Sequence, residues 1–335
     1  MKDFPHSKVL FISTDRQVDT RALKGRSFET TVLKCRPLKG LGLLAKLVTA
    51  IRLPASLIAA GVIIRRFKPD LVLGVGGYVT GPVILAARLL GVPCCIHEQN
   101  SVPGLTNRLL GRFVHKIFIS LPGSEPYFPA AKTVLTGNPV RQELLSAAAM
   151  PVKKENQSPT LLVLGGSQGA HRINMLMLQA FAEHRSALPL GLTVIHQTGS
   201  RDEEEVRKEY TRLGIRAQVA AFFTDMAALY READLVVSRA GATTLTELML
   251  FAKPAILIPY PYAADNHQEK NGLFLAERGG AKMFVETDLT GLALAREIVR
   301  LIIDKEELNR MAVRLATLAR PRAAETIVAR CLEMV

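Results

Sequence analysis

Residues Leu161–Ala170 read LLVLGGSQGA. An apolar run enters glycines, a serine and an amide, with a helical pattern behind them, and in an α/β chain this marks the turn from a buried strand into a helix. Such a turn builds a phosphate site. Glycines let the backbone approach a diphosphate, the helix start offers unpaired N–H groups and a positive dipole end, and Ser167 adds a hydroxyl donor. A glycine turn of this kind also serves as a plain tight connection, so the rest of the chain has to discriminate.

A second turn of the same type follows about eighty residues on. SRAGATTLTEL (Ser238–Leu248) comes after the apolar run Ala233–Val237 and again enters a helical pattern. In an open parallel sheet the loops after the strands' carboxyl ends meet at one edge, so the two turns are expected to face one cleft and hold different parts of one ligand. Glu247 then sits about a turn into the helix, where its carboxylate has two readings: acceptor for both hydroxyls of a ribose, or an ordinary solvated helix glutamate. A third cluster, AADNHQEKNG (Ala263–Gly272), follows AILIPY and gathers donors and acceptors of the kind that bind sugars.

Six blocks recur in order: GVGGYVTGP (Gly74–Pro82), HEQNSVPGLTNR (His97–Arg108), GNPVR (Gly137–Arg141), GGSQGA (Gly165–Ala170), RAGATTLTE (Arg239–Glu247) and DNHQEKN (Asp265–Asn271). In order and spacing they resemble the MurG family, from near Val9 to the C-terminus. The resemblance implies an α/β chain of GT-B type, two Rossmann-like domains with parallel sheets facing a cleft. It implies an inverting hexosyltransferase that moves N-acetylglucosamine from UDP-N-acetylglucosamine to an undecaprenyl-linked muramyl-pentapeptide, converting lipid I to lipid II in peptidoglycan synthesis. The implied location is peripheral, on the cytoplasmic face of the bacterial inner membrane.

By motif position the resemblance makes Asn100, Arg141, Ser167, Phe223, Ala242, Thr243, Thr244, Leu245, Thr246, Glu247 and Gln268 donor contacts, with Glu247 on the ribose and Gln268 on the sugar hydroxyls. Phe223 would read the uracil through its backbone. Gly76, Gly77 and Tyr78 would face the acceptor diphosphate, although such glycines also serve close packing at a helix start. The family's first strand ends in a glycine loop of the type G-G-T-G-G-H, and no such loop precedes Lys8. The first domain is therefore expected to lack its first strand and helix, a unit of roughly 30 residues, with the histidine that the resemblance makes the general base. A start called too late, or a truncated product, accounts for this better than a natural deletion, since an interior parallel strand is buried on both faces. Of the residues present, His97 and Glu98 are the titratable pair in the acceptor half that a family block marks.

The chain's organisation fits this scheme. Strand-like runs Val9–Ser13, Leu71–Val75, Pro93–Ile96, Lys116–Ser120 and Thr133–Thr136 outline an N-terminal domain over residues 1–145. Residues 146–159 lie in a polar stretch with two prolines and read as a linker. Residues 160–335 repeat the alternation, and the resemblance suggests that the last helix packs back on the first domain. The 335 residues, 48% of them hydrophobic, suffice for two cores. Four cysteines without metal-ligand spacing read as reduced core thiols of a cytosolic protein, Cys35 and Cys331 isolated and Cys94 and Cys95 adjacent in a buried strand.

A net charge of +13 calls for an anionic partner. Nucleic acid is disfavoured, because tryptophan is absent and aromatics make up only 6% with no basic stripe among them. An anionic membrane surface fits better. Leu38–Lys68 alternates apolar clusters with Lys39, Lys46, Arg52, Arg65, Arg66 and Lys68, and its uncharged run Leu53–Ile64 is short of the roughly 20 residues that cross a bilayer. That segment reads as a helix with one buried stripe and a basic edge, as an interfacial docking element, or as both on different faces.

Glycosyl transfer from a nucleotide sugar leaves growing negative charge on the departing diphosphate. Backbone N–H groups, Ser167 and Arg141 are the groups expected to stabilise it. No D-x-D sequence occurs, so there is no sequence argument for a metal, and no cofactor is expected. Three function classes stay open: the active transferase; another UDP-sugar enzyme of the same architecture, such as a 2-epimerase or glycolipid synthase; and a non-enzymatic UDP-sugar-binding or membrane-assembly protein.

Overall fold

The computed structural model describes residues 7–14, 28–35, 43–151, 158–165 and 170–335, without the side chains of residues 43–53 and Ser186. Every strand pair among these residues is parallel.

The C-terminal half holds six strands: β7 (Thr160–Leu164), β8 (Thr193–Gln197), β9 (Arg216–Ala220), β10 (Leu235–Ser238), β11 (Ala255–Leu257) and β12 (Ala281–Met283). Their order is β12-β11-β10-β7-β8-β9. β7 is central, and all five of its residues are buried. Its alternation divides two cores. Leu161 and Val163 pack with Ile173, Met177 and Phe181 of α5 (His171–His184) and with Ile298 of α10 (Gly291–Ile303). Leu162 and Leu164 face Leu229 and Tyr230 of α7 (Met226–Glu232) and Leu245 and Leu248 of α8 (Ala242–Leu250). A strand buried on both faces explains why LLVL reads as a continuous apolar run rather than an alternating one. Chain order reverses between β7 and β10, and in an open parallel sheet that reversal opens a crevice at the carboxyl ends, where the turn from β10 into α8 lies.

The N-terminal half differs from expectation in one respect. β3 (Val72–Gly74), β4 (Cys94–Glu98), β5 (Lys116–Ile119) and β6 (Thr133–Leu135) form one sheet in that order, but β1 (Leu10–Ser13) does not join it. β1 pairs instead with β2 (Glu29–Val32), a strand too short and polar to stand out in the sequence. Apolar burial still links the two pieces, since Ile12 and Leu33 pack into the same core as Ile84, Ile96 and Ile117.

The expected linker is also partly ordered. Helix α4 (Gln142–Ala149) runs into it, burying Leu144 and packing on α7. Arg231 of α7 holds its end, donating to the carbonyls of Ala147 (2.8 Å) and Pro151 (2.9 Å). Residues 152–157 of that stretch lie outside the described residues. The last helix, α12 (Ala323–Leu332), sets Ile327 against Cys95 and Phe118 of the N-terminal sheet. Cys331 is consequently not isolated: its sulfur lies 3.6 Å from that of Cys95.

One buried network sets an acid limit on stability. The phenol of Tyr210 lies 2.8 Å from Nδ1 of His196, whose Nε2 lies 3.0 Å from Oδ1 of Asn174. Asn174 in turn donates to Asp202 (2.7 Å) and to the carbonyl of Thr198 (3.0 Å). Burial pushes His196 down to about 3, so the folded chain holds it neutral. The unfolded chain protonates it near its ordinary 6.5, so its contribution is complete above 6.5 and is lost as pH falls toward about 3. Within that window the slope should be about 1.4 kcal/mol per pH unit. Denaturant titrations at several pH values should show an acid limb that flattens in His196→Gln, and an unchanged limb would refute the assignment.

Candidate functional site

Four described segments meet where strands end: the loop from β3 into α2 (Thr80–Leu89), the loop from β4 into α3 (Leu105–Leu110), the turn from β10 into α8, and the start of α9 (His267–Glu277).

In the first segment Gly76 and Gly77 have φ of +94° and +81°. A side chain at Gly77 would meet nothing within 4 Å, so backbone conformation, not lack of space, calls for glycine there. The amide of Gln99 donates to the carbonyl of Val75 (3.0 Å), bracing this loop from β4, and Tyr78 is half-buried within it.

His97 and Glu98 close β4 and are both buried. Nε2 of His97 lies 3.2 Å from the carbonyl of Gly137 and 3.0 Å from the Ser120 hydroxyl, and the Gln99 amide lies 3.2 Å from its Nδ1. This pattern fits a neutral ring protonated on Nε2, and burial lowers its affinity for a second proton. Gly137, from GNPVR, adopts φ +87° beneath Arg320, where a Cβ would lie 2.6 Å from that side chain's Cβ. Glu98 is more heavily used. Its carboxylate accepts from the backbone of Asn100 (3.0 Å) and Gly104 (3.1 Å) and from the side chains of Asn107 (2.9 Å) and Asn100 (3.3 Å). Both residues expected to do acid–base chemistry are thus buried and hydrogen-bonded, Glu98 to its own HEQNSVPG loop and His97 to Gln99, Ser120 and Gly137.

Asn100 faces the other half of the chain. Its Oδ1 accepts from Asn271 (3.1 Å), which also donates to the carbonyl of Ala240 (3.2 Å) and accepts from the backbone N–H of Ser101 (2.9 Å). Asn271 is wholly buried and clasps the HEQN loop to the RAGA turn.

On the C-terminal side, α8 begins at Ala242 after Gly241, with no side-chain cap on its first turn. Its leading N–H groups therefore lack a side-chain acceptor, as an anion site needs. Thr243 is exposed and Thr244 half-buried, while Thr246 bonds back to the carbonyl of Ala242 (2.8 Å) and Leu245 is core, able to offer only its backbone. Glu247 is not a solvated helix residue. It is only 9% exposed and accepts from the Tyr230 hydroxyl at 2.8 Å. Burial raises its pKa against the opposing effects of Tyr230 and the Arg141 charge, which places the exposed Arg141 guanidinium in electrostatic reach. Phe223 spends its N–H on Gln197 Oε1 (3.1 Å), which leaves its carbonyl to read a base. Gln268 Oε1 accepts from the Tyr260 N–H (2.9 Å), which leaves its amide nitrogen to donate. Just before α9, Asp265 and Asn266 adopt left-handed φ of 54° and 52°, a cost that non-glycine residues bear chiefly at functional turns. Ser167 lies outside the described residues, as do Gly166, Gln168 and Gly169.

Two family models account for most of the chain: the glycosyltransferase family 28 N-terminal domain over residues 2–119 and the family 28 C-terminal domain over residues 160–327. The chain belongs to glycosyltransferase family 28. Within this family it is 45% identical to the UDP-N-acetylglucosamine–N-acetylmuramyl-(pentapeptide) pyrophosphoryl-undecaprenol N-acetylglucosamine transferase of Desulfotalea psychrophila, over 100% of this chain and 90% of that protein. The transferase of the same name from Geobacter sp. is 43% identical over 97% of this chain and 87% of its own. Among solved structures, Acinetobacter baumannii MurG superposes with a TM-score of 0.79 at 31% identity, covering 99% of this chain and 93% of its own. A UDP-GlcNAc 2-epimerase from Neisseria meningitidis reaches 0.65 at 16% identity, covering 98% and 92%, and at that identity shares the fold alone.

Sequence reasoning missed Asn271 and Tyr230 in this family 28 site. Asn271 stood inside a quoted block, but its partners lie about 170 residues away in the chain. Tyr230 falls on the buried face of α7, where only three-dimensional packing brings it to Glu247.

Proposed function

We propose that this family 28 chain transfers N-acetylglucosamine from UDP-N-acetylglucosamine to a lipid-linked muramyl-pentapeptide, with inversion at the anomeric carbon. The observation that carries this is the 45% identity to the Desulfotalea transferase along the whole chain. The geometry supplies the parts. The uncapped start of α8 and the Arg141 guanidinium meet the growing charge on the departing UDP, and the Glu247 carboxylate takes the ribose hydroxyls. Gln268 offers its amide to the sugar, and Gly76, Gly77 and Tyr78 receive the acceptor diphosphate. His97 and Glu98 hold the loop between the two substrates; neither is the group that takes the acceptor's proton, because their polar atoms are already engaged. Labelled N-acetylglucosamine should pass from UDP into solvent-extractable lipid when the chain is given the muramyl-pentapeptide lipid. Epimerised or hydrolysed UDP-sugar with no labelled lipid would reject the proposal.

The acceptor is a membrane lipid, and one surface suits it. Ile58 and Val62 of α1 (Leu43–Phe67), Leu89 at the end of α2, and Leu105, Leu109 and Phe113 on and after α3 are exposed, Leu89 to 75%. α2 packs against both neighbouring helices, and Arg65, Arg66, Arg88, Arg108 and Arg112 lie exposed among these side chains. Exposed apolar groups with cations around them suit an anionic headgroup layer. No helix among the described residues is long and apolar enough to cross a membrane. Of the basic segment read from sequence, residues 38–42 and the side chains of Lys46 and Arg52 lie outside the description, so the docking surface rests on α1 to α3. Co-sedimentation with anionic vesicles should weaken as salt rises and fall about tenfold in Phe113→Ser or Leu109→Ser, each losing roughly 1.5 kcal/mol of apolar burial. Equal binding to neutral and anionic vesicles would remove the electrostatic part.

A further inference from the structure

Strand alternation sends the adjacent cysteines of β4 to opposite faces. Cys94 enters the core beside His115, whose Nδ1 lies 3.8 Å from its sulfur. Cys95 enters a small cluster with Phe118 and Ile327, and there its sulfur lies 3.6 Å from that of Cys331 on the last helix. Disulfide sulfurs sit about 2.05 Å apart, so bonding needs an approach of about 1.5 Å, which rotation about χ1 on a terminal helix can supply. The two thiols also differ in the way a peroxide-reactive pair requires. Cys331 is half-buried and therefore the reachable thiol, and its contact with the Cys95 thiol lowers its pKa, which eases its ionisation. Cys95 is fully buried and held protonated, waiting behind it.

We propose that Cys95 and Cys331 form a reversible disulfide when the chain meets a peroxide. The Cys331 thiolate attacks one peroxide oxygen, releasing hydroxide, which takes up a proton to become water, and leaving a sulfenic acid. The Cys95 sulfur then attacks the Cys331 sulfur and gives up its proton as the second water leaves. Two thiols are oxidised to one disulfide, and hydrogen peroxide is reduced to two waters.

The bond would act as a staple between the chain's halves. α11 (Lys305–Leu318) buries Met311 and Leu315 in the two C-terminal cores, and only Ala319–Arg322 separate it from α12, which lies on the N-terminal sheet. Linking Cys331 to β4 therefore fixes covalently a crossing that non-covalent contacts now hold.

Peptide mapping of the full chain after treatment with equimolar hydrogen peroxide should recover the Cys95 peptide joined to the Cys331 peptide, separable again by dithiothreitol. Cys331→Ser should abolish the joined species and Cys94→Ser should retain it. The oxidised chain should melt roughly 5 °C or more above the reduced one, since the closed loop is long. Sulfinic acid at Cys331 beside a free Cys95, a bond through Cys94, or an unchanged melting temperature in the cross-linked chain would each overturn the proposal. Mapping of the unsubstituted chain decides the matter even where a cysteine variant fails to fold.

Discussion

Glu247→Ala is expected to weaken UDP binding by about 10²–10⁴-fold, because a buried carboxylate that accepts two ribose hydroxyls contributes roughly 1.5–3 kcal/mol per charge-assisted bond and the variant loses both. The same change strips the Tyr230 hydroxyl of its acceptor inside a core where Tyr230 also stacks on Phe251 at 5.2 Å, so stability should fall by about 1–3 kcal/mol as well. Tyr230→Phe separates the two effects: it should lower stability while leaving UDP affinity within about threefold, since it removes no ribose contact. Protonation gives an independent handle. Burial raises the Glu247 pKa, so UDP binding should decline on acidification at a higher pH than an ordinary carboxylate would dictate. Its stability term runs the other way: a group raised on folding contributes fully below its unfolded value of 4.5, and that contribution is lost as pH rises through the raised value. Calorimetric titration with UDP in the three proteins checks both statements. Undiminished affinity in Glu247→Ala would end the ribose assignment.

The parts of this site that sequence discloses are those whose chemistry is local. A glycine turn between an apolar strand and a helix specifies its own backbone path, so Gly76, Gly77 and the Ala242 helix start could be placed from residue order alone. Side-chain roles depend on partners far along the chain. Nothing near Glu247 announces that Tyr230 will bury it, and nothing near Asn100 announces that its amide will be spent on Glu98 and Asn271. Titratable character in a family block marks His97 and Glu98 as a chemical pair, but that both are buried and hydrogen-bonded to the loops around them depends on partners the sequence does not place beside them. The fold shows the same division. β7 is legible because burial on both faces leaves a pure apolar run, whereas β2, with sequence ETTV, is exposed over most of its length and carries no such signal. Helix α4 was hidden because its stabilising contacts, Leu144 in the core and the Arg231 guanidinium on its last carbonyls, come from tertiary packing rather than from periodicity.

Glu98 offers the sharpest separation of a positioning role from a chemical one. Its two oxygens accept four hydrogen bonds from the segment Asn100–Asn107, and three of those donors, the backbone N–H groups of Asn100 and Gly104 and the Asn107 amide, fix how the loop leaves β4. Glu98→Ala abandons all of them in a nearly water-free setting, and at about 1–3 kcal/mol for each buried unpaired donor the loss should reach about 4 kcal/mol. Glu98→Gln keeps one acceptor oxygen but turns an N–H toward groups that themselves donate, so about half that loss is expected. The displaced loop would also pull Asn100 from Asn271 and loosen the clasp to the RAGA turn, so the Michaelis constant for the sugar nucleotide should rise along with the stability loss. Amide exchange at Asn100 and Gly104 should accelerate in both variants, more in Glu98→Ala, while exchange in β7 stays slow. A general base would behave otherwise. Glu98→Gln would then leave exchange, melting temperature and the Michaelis constant as they are and lower the turnover number alone by about 10²–10⁴-fold, and that result would return Glu98 to the reacting centre.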